Sequence, residues 1–257
     1  MTQEPESPAQ EALGGFITHL LELRSRLLKA VLSVLLVLLA LLPFSDKLYD
    51  LLARPLIERL PQGSHMIAIE VASPFLTPIK LSLVVAVFLA MPAILYQLWA
   101  FIGPGLYRNE RRLALPLLVS SVLLFYLGCA FAYFLVLPAA FHFLTMVTPS
   151  GVSMMTDISH YLSFVLSIFF AFGLSFEVPV AVVLLAAMGI VPVAKMRRAR
   201  RYVIVGAFAL AAVITPPDVL SQTLLASSMI LLFESGLLAA SLLVRKRHHE
   251  QDGDSAP

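Results

Sequence analysis

The chain has 257 residues, of which 59% are apolar and only 13% are charged, and its mean hydropathy is +0.89. These values exclude an ordinary soluble domain and indicate a polytopic membrane protein. The formal net charge is only +2, and the single cysteine excludes an internal disulfide framework and a cysteine metal cluster.

The N-terminal segment is polar and contains three glutamates and two prolines, so we expect residues 1–15 to form a disordered tail. Six apolar runs then predict six transmembrane helices, at residues 27–44, 81–107, 113–141, 161–191, 202–215 and 219–244. We assign residues 16–244 to one membrane domain and residues 245–257 to a second disordered tail.

The basic residues are distributed unevenly between the predicted loops. If the N-terminus is cytoplasmic, 14 of the 18 Lys and Arg residues fall on the cytoplasmic side and four fall outside. The positive-inside rule then predicts that both termini are cytoplasmic.

The outer segment between the first two runs, residues 44–80, is too long for a simple turn. Its leucines recur at helical spacing, which predicts an amphipathic helix on the outer surface, interrupted at Pro55. In the second outer loop, Asp157 is placed to cap the helix that follows.

The fifth run is unusually short, since Tyr202 to Thr215 gives only about 21 Å of helix. The sixth carries Glu234 near the predicted cytoplasmic interface. These two helices either form a hairpin that does not span fully or lie in a locally thinned bilayer.

Glu177 is the only charged residue in a 31-residue run from Tyr161 to Val191. An ionised group at that depth costs at least about 2.5 kcal/mol, so such residues usually face away from lipid. It is either a structural carboxyl between helices or a functional group. Pro179, which should bend the helix beside it, favours a cavity wall.

Two acids on the predicted cytoplasmic side are also candidates. Glu22 precedes the first crossing and can pair with Arg26 at i, i+4, whereas Glu110 can lie in a first helical turn capped by Asn109. The sequence contains no phosphate-binding loop, metalloprotease motif or nucleophile elbow, and its histidines lack metal-ligand spacing. We therefore expect no catalytic residues, no metal and no cofactor.

Several stretches, spread over residues 16–244, together make the chain resemble the TatC family, the receptor subunit of the twin-arginine protein translocase. They are His19–Arg24, Ala72–Lys80, Tyr96–Arg112, Ser175–Pro179, and Thr215–Asp218 with the following Ser-Gln-Thr. The resemblance implies six helices in a concave cup, with short fifth and sixth helices and an outer cap.

The resemblance also implies a function in the bacterial cytoplasmic membrane. The family binds signal peptides with two consecutive arginines and, with the single-span partners TatA and TatB, moves folded proteins using the proton motive force. By position, Glu22, Glu110 and Phe101 match its signal-peptide site, and Glu177 matches its intramembrane acid. Two more positions match its partner-helix site, Thr215 and Gln222.

Two other classes of function remain as alternatives. A proton-coupled transporter of a small solute would explain Glu177, but the first three crossings contain no counterpart of Ser175–Pro179, as paired repeats would require. A structural scaffold for other membrane subunits would leave Glu22 and Glu110 replaceable.

Overall fold

The structure is a computed structural model that describes residues 8–57, 67–102, 111–147, 157–214 and 219–254. Every regular element in these ranges is helical, and one isolated bridge pairs Ile67 with Asp157. The helices are α1 (Pro8–Leu41), α2 (Ser45–Ile57), α3 (Ser73–Ile102), α4 (Arg111–Phe131), α5 (Leu137–Val147), α6 (Ile158–Ser175), α7 (Val178–Ala187), α8 (Val193–Arg198), α9 (Arg200–Ile214) and α10 (Val219–Asp254).

Five helical stretches in the described ranges are long and apolar enough to cross a membrane. They are Ile17–Leu51, Ser73–Ile102, Leu115–Phe143, Ile158–Ala187 and Gln222–Leu243. The third joins α4 to α5 through a π-helical turn at Ala132–Val136, and the fourth contains both α6 and α7. The predicted all-helical membrane fold is confirmed.

The fifth and sixth predicted crossings differ in length. Helix α9 has 15 residues, or about 22 Å, which is well short of a hydrocarbon core of about 30 Å, as predicted. The expectation of a short sixth helix is wrong, because α10 has 36 residues and its apolar part covers 22 of them. That apolar part is about 33 Å long and can cross the core.

Both terminal helices reach into segments that the sequence predicted to be disordered. Helix α1 begins at Pro8, which suits a first helical position, and the five residues after it, Ala-Gln-Glu-Ala-Leu, are good helix formers. Helix α10 continues to Asp254. Residues 1–7 and 255–257 lie outside the described ranges, so the division into tails and membrane domain stays a prediction.

The predicted outer helix is α2, which runs two residues past Pro55, where we had placed an interruption. Leu48 and Tyr49 of α2 pack on Leu81 of α3 and Leu162 of α6. The amphipathic helix is thus attached to the ends of two transmembrane helices.

Asp157 caps α6 as predicted, because its Oδ1 accepts hydrogen bonds from the Ser159 and His160 backbone N–H groups at 2.9 and 3.0 Å. Its Oδ2 accepts a third bond, from the Ile69 N–H at 3.0 Å, and the Ile158 N–H donates to the Ile67 carbonyl. The N–H groups of Ile69 and His160 hold the pKa of this carboxyl below its usual value. One side chain therefore joins the two predicted outer loops.

Two glycines allow unusually close helix contacts in the core. A Cβ on Gly128 of α4 would lie 2.6 Å from the Phe172 carbonyl oxygen of α6, and one on Gly236 of α10 would lie 2.8 Å from Pro179 Cα of α7. Both distances are too short for a real side chain. Helices α4, α6, α7 and α10 are therefore packed backbone against backbone around the middle of the fourth crossing.

Candidate functional site

The predicted cytoplasmic end of α1 carries Glu22 in the ion pair that its spacing predicted. Arg26 Nη2 lies 3.3 Å from Glu22 Oε1, and Arg26 Nη1 donates a 3.4 Å hydrogen bond to Gln97 Oε1 on α3. The Glu22 and Arg26 side chains are 33% and 28% exposed. An ion pair this long and this accessible to water is worth less than about 1 kcal/mol.

Phe101 lies at the same end of the fold, because its ring stacks on that of His19 at a centroid distance of 4.3 Å. His19, Glu22 and Arg26 share one face of α1, and Gln97 and Phe101 share one face of α3. The structure thus brings the predicted residues Glu22 and Phe101 together where α1 packs on α3. We call this region the α1–α3 face.

Glu110 and Thr215, the other predicted members of the two recognition sites, lie outside the described residues. Gln222 is described and lies in the first turn of α10, where its side chain is half-buried. Its role in binding a partner helix stays a prediction.

Glu177 lies in a break of the fourth crossing, between the end of α6 at Ser175 and the start of α7 at Val178. Pro179 has no N–H to donate to the carbonyl one turn upstream, so a continuous α-helical ladder cannot form here. The Glu177 N–H instead donates to the Leu174 carbonyl, and the Ala181 N–H donates to the Glu177 carbonyl. The structure therefore confirms an irregularity beside the acid.

The Glu177 carboxyl belongs to a short row of polar side chains that come from neighbouring helices. It interacts with the Ser121 hydroxyl of α4, which also accepts a 3.4 Å hydrogen bond from Trp99 Nε1 of α3. Glu177 Oε1 is buried and has no hydrogen-bond partner among the described residues. An acceptor left open inside an apolar core is costly, which suits a group that binds a donor only part of the time.

Trp99 is a residue of this site that the sequence did not predict. Tryptophans of membrane proteins often lie at the membrane interface, but Trp99 is only 6% exposed and packs with Leu95 and Phe125. The signal that could have found its role is chemical, since a buried indole N–H needs an acceptor. That acceptor is Ser121.

Glu234, the acid noted on the sixth crossing, forms an ion pair with Arg200 at the start of α9. Both side chains are at least one third exposed. The pair supports a position near the membrane surface. No group of three His, Cys, Asp or Glu in the described part of the chain is placed to hold a metal ion.

A family profile described as Sec-independent protein translocase protein (TatC) matches residues 18–227. The chain belongs to the TatC family. It is 59% identical over 210 residues to the TatC of Escherichia coli strain K12, covering 82% of this chain and 81% of the relative. It is 58% identical over 226 residues to the TatC of Azotobacter chroococcum mcd 1, covering 88% of both.

A solved structure agrees with this TatC assignment. A crystal structure described as the twin arginine translocase receptor TatC has a TM-score of 0.78 and 37% sequence identity, and the match covers 87% of this chain and 98% of that one. The chain is thus a transport component and a multi-pass protein of the bacterial inner membrane. Its membership of the TatC family argues against the alternative function as a transporter of a small solute.

Proposed function

We propose that this TatC protein is the receptor subunit of its translocase and binds twin-arginine signal peptides at the α1–α3 face. In this proposal the N- and C-termini are cytoplasmic, as the charge distribution predicts, so that the α1–α3 face meets cargo in the cytoplasm. With single-span partners of the TatA and TatB type, the protein then moves folded cargo using the proton motive force.

The observation that supports this proposal most strongly is that Glu22 forms only a weak ion pair within the protein. Its own Arg26 approaches only one carboxylate oxygen, at 3.3 Å. A peptide guanidinium can bind a carboxylate through two parallel hydrogen bonds. It can therefore replace Arg26 with a net gain in binding free energy. A lysine ammonium lacks that planar fork and should bind less well.

Phe101 adds a second element of recognition beside the acid. Its half-buried ring already stacks on His19, and an aromatic face can also hold an arginine side chain. Glu110 is proposed as the second carboxylate for the arginine pair, on the resemblance of its motif.

The deeper residues are proposed to act after recognition. Glu177, with its open Oε1, would accept a donor from an inserted signal peptide or a rearranged partner helix. Thr215 and Gln222 are proposed to receive the single-span partners, through polar contacts of about 0.6 kcal/mol each that suit reversible docking.

The test is binding of a twin-arginine signal peptide to the purified protein and to Glu22→Gln, with a twin-lysine peptide in parallel. We expect Glu22→Gln to weaken binding of the arginine peptide about tenfold and to reduce its preference over the lysine peptide. The matched control is Glu234→Gln, because Glu234 is also an arginine-paired acid whose side chain is 33% exposed, as that of Glu22 is, but it lies on α10. Equal binding by all three proteins would rule out the assignment of Glu22.

A second measurement separates the deep acid from the recognition site. Glu177→Ala should abolish transport of a folded cargo while peptide binding stays within about twofold of the unmodified protein. If peptide binding fell as far as in Glu22→Gln, the two residues would belong to one site and the proposed order of events would be wrong.

A further inference from the structure

A groove of about 750 Å³ lies between α3, α6, α9, α10 and the first residue of α7. None of its lining residues belongs to the α1–α3 face, and Glu177 itself is not among them. It follows α6 from Ser163 to Ser175, a distance of about 18 Å, and ends at Val178 of α7. Its wall is open to the surroundings, since the lining residues Leu174, Leu210 and Val213 are 56%, 50% and 83% exposed. We call it the α6 groove.

The two ends of the α6 groove differ in chemistry. Lys80 lies at one end and donates a 2.8 Å hydrogen bond from Nζ to Ser163 Oγ. Ser163 and Ser167 donate their own hydroxyl protons to backbone carbonyls one turn back on α6, as does Ser175 further along. With those donors already used, most of the remaining wall offers apolar side chains and only one end carries a charge.

The ammonium of Lys80 has no balancing charge in the described part of the chain. It forms no ion pair with a described carboxylate, and its one recorded partner is a neutral hydroxyl. A cation at the edge of a membrane protein usually pairs with an acid or with an anionic lipid headgroup. The exposed side chain of Lys80 is free to do the latter.

The depth of Lys80 matches a headgroup. Helix α3 has 30 residues, about 45 Å, which is the thickness of a bilayer including its headgroups. Lys80 comes seven residues after the start of α3, about 10 Å below that end. A flexible lysine side chain at that depth extends toward the interface, which places its ammonium near the lipid phosphates.

The charge of the α6 groove favours a lipid over a transmembrane helix. An apolar helix could cover the same wall but would leave the Lys80 ammonium without an anion, whereas a phospholipid supplies one. Its acyl chain would bury apolar surface along the rest of the wall. We propose that the α6 groove binds an anionic phospholipid, with its phosphate at Lys80 and one acyl chain along the apolar wall.

The test is native mass spectrometry of the whole protein, released from bilayers of phosphatidylcholine with phosphatidylglycerol added. We expect the unmodified protein to retain phosphatidylglycerol in preference to phosphatidylcholine, and Lys80→Gln to lower that preference about fivefold. Lys80→Arg should keep it. The control is Lys47→Gln, because Lys47 is an exposed lysine of α2 that lies against Phe44 and outside the groove.

A second pair of variants tests the acyl-chain part of the α6 groove. Val213→Trp should fill the groove and displace the retained lipid, whereas Val205→Trp, on an exposed part of α9 that does not line it, should have no effect. Equal retention of the two lipids, or unchanged retention in Lys80→Gln and Val213→Trp, would overturn the proposal. So would crosslinking of position 80 to a signal peptide or a single-span helix in place of lipid.

Discussion

Replacing Gly236 by alanine tests whether α7 and α10 need backbone contact beside Glu177. The added Cβ would lie 2.8 Å from Pro179 Cα, 3.1 Å from the Pro179 carbonyl oxygen and 3.1 Å from Val182 Cβ. Two of these three atoms are backbone atoms and cannot rotate away. Overpacking of this kind costs about 1–3 kcal/mol, from which about 1 kcal/mol is recovered because alanine favours a helix over glycine.

The matched control is Gly206→Ala on α9, where the added Cβ would meet nothing within 4 Å. This change should stabilise the protein by about 1 kcal/mol, through helix propensity alone. With Gly236→Ala destabilising by about 1 kcal/mol, the two variants should differ by about 2 kcal/mol, or about 4–8 °C in Tm for a domain of this size.

The assay is thermal unfolding of both variants in one detergent, together with transport of a folded cargo. Gly236→Ala should lower the Tm and also reduce transport, because α7 must shift and carries Pro179 next to Glu177. An equal or higher Tm for Gly236→Ala than for Gly206→Ala would refute the reasoning that these backbones are in obligatory contact.

Three further predictions concern single side chains. Asp157→Asn should keep the first-turn amides of α6 protected from hydrogen exchange but expose the Ile69 amide, whereas Asp157→Ala should expose both. In the folded, unmodified protein the pKa of Asp157 is lowered. The amides that it accepts bonds from should therefore be fully protected above the ordinary pKa of about 3.9, and lose protection as the pH falls through the lower folded pKa. Ser121→Ala should cost about 1 kcal/mol and shift the emission of Trp99, the only tryptophan, to shorter wavelength. Glu234→Gln should change the free energy of unfolding by less than about 1 kcal/mol in the same melts, because its ion pair is exposed.

Features that depend on local chemistry could be predicted from the sequence. The cap at Asp157, the irregularity beside Pro179 and the short α9 each depend on residues close together in the chain. The Glu22–Arg26 pair is likewise set by i, i+4 spacing on one helix.

Features that depend on contacts between distant segments could not be predicted. The row of polar side chains formed by Trp99, Ser121 and Glu177 comes from distant segments. No single stretch of sequence contains more than one of them. Gln97 was missed for the same reason, because its contact with Arg26 spans 71 positions. The length of the sixth helix was misjudged because its polar continuation beyond the membrane remains helical.

The manner in which α1 is attached has a mechanical consequence. Within the described part of the chain, α1 packs chiefly against α3, and no residue of its apolar membrane window is buried. The Glu22 end of α1 is joined to α3 by the 3.4 Å hydrogen bond from Arg26 to Gln97 and by the stacking of His19 on Phe101. The close backbone contacts around Glu177 involve other helix pairs, α4 with α6 and α7 with α10. A change in the angle between α1 and α3 would therefore alter the spacing of Glu22 and Phe101 and leave the contacts at Gly128 and Gly236 in place.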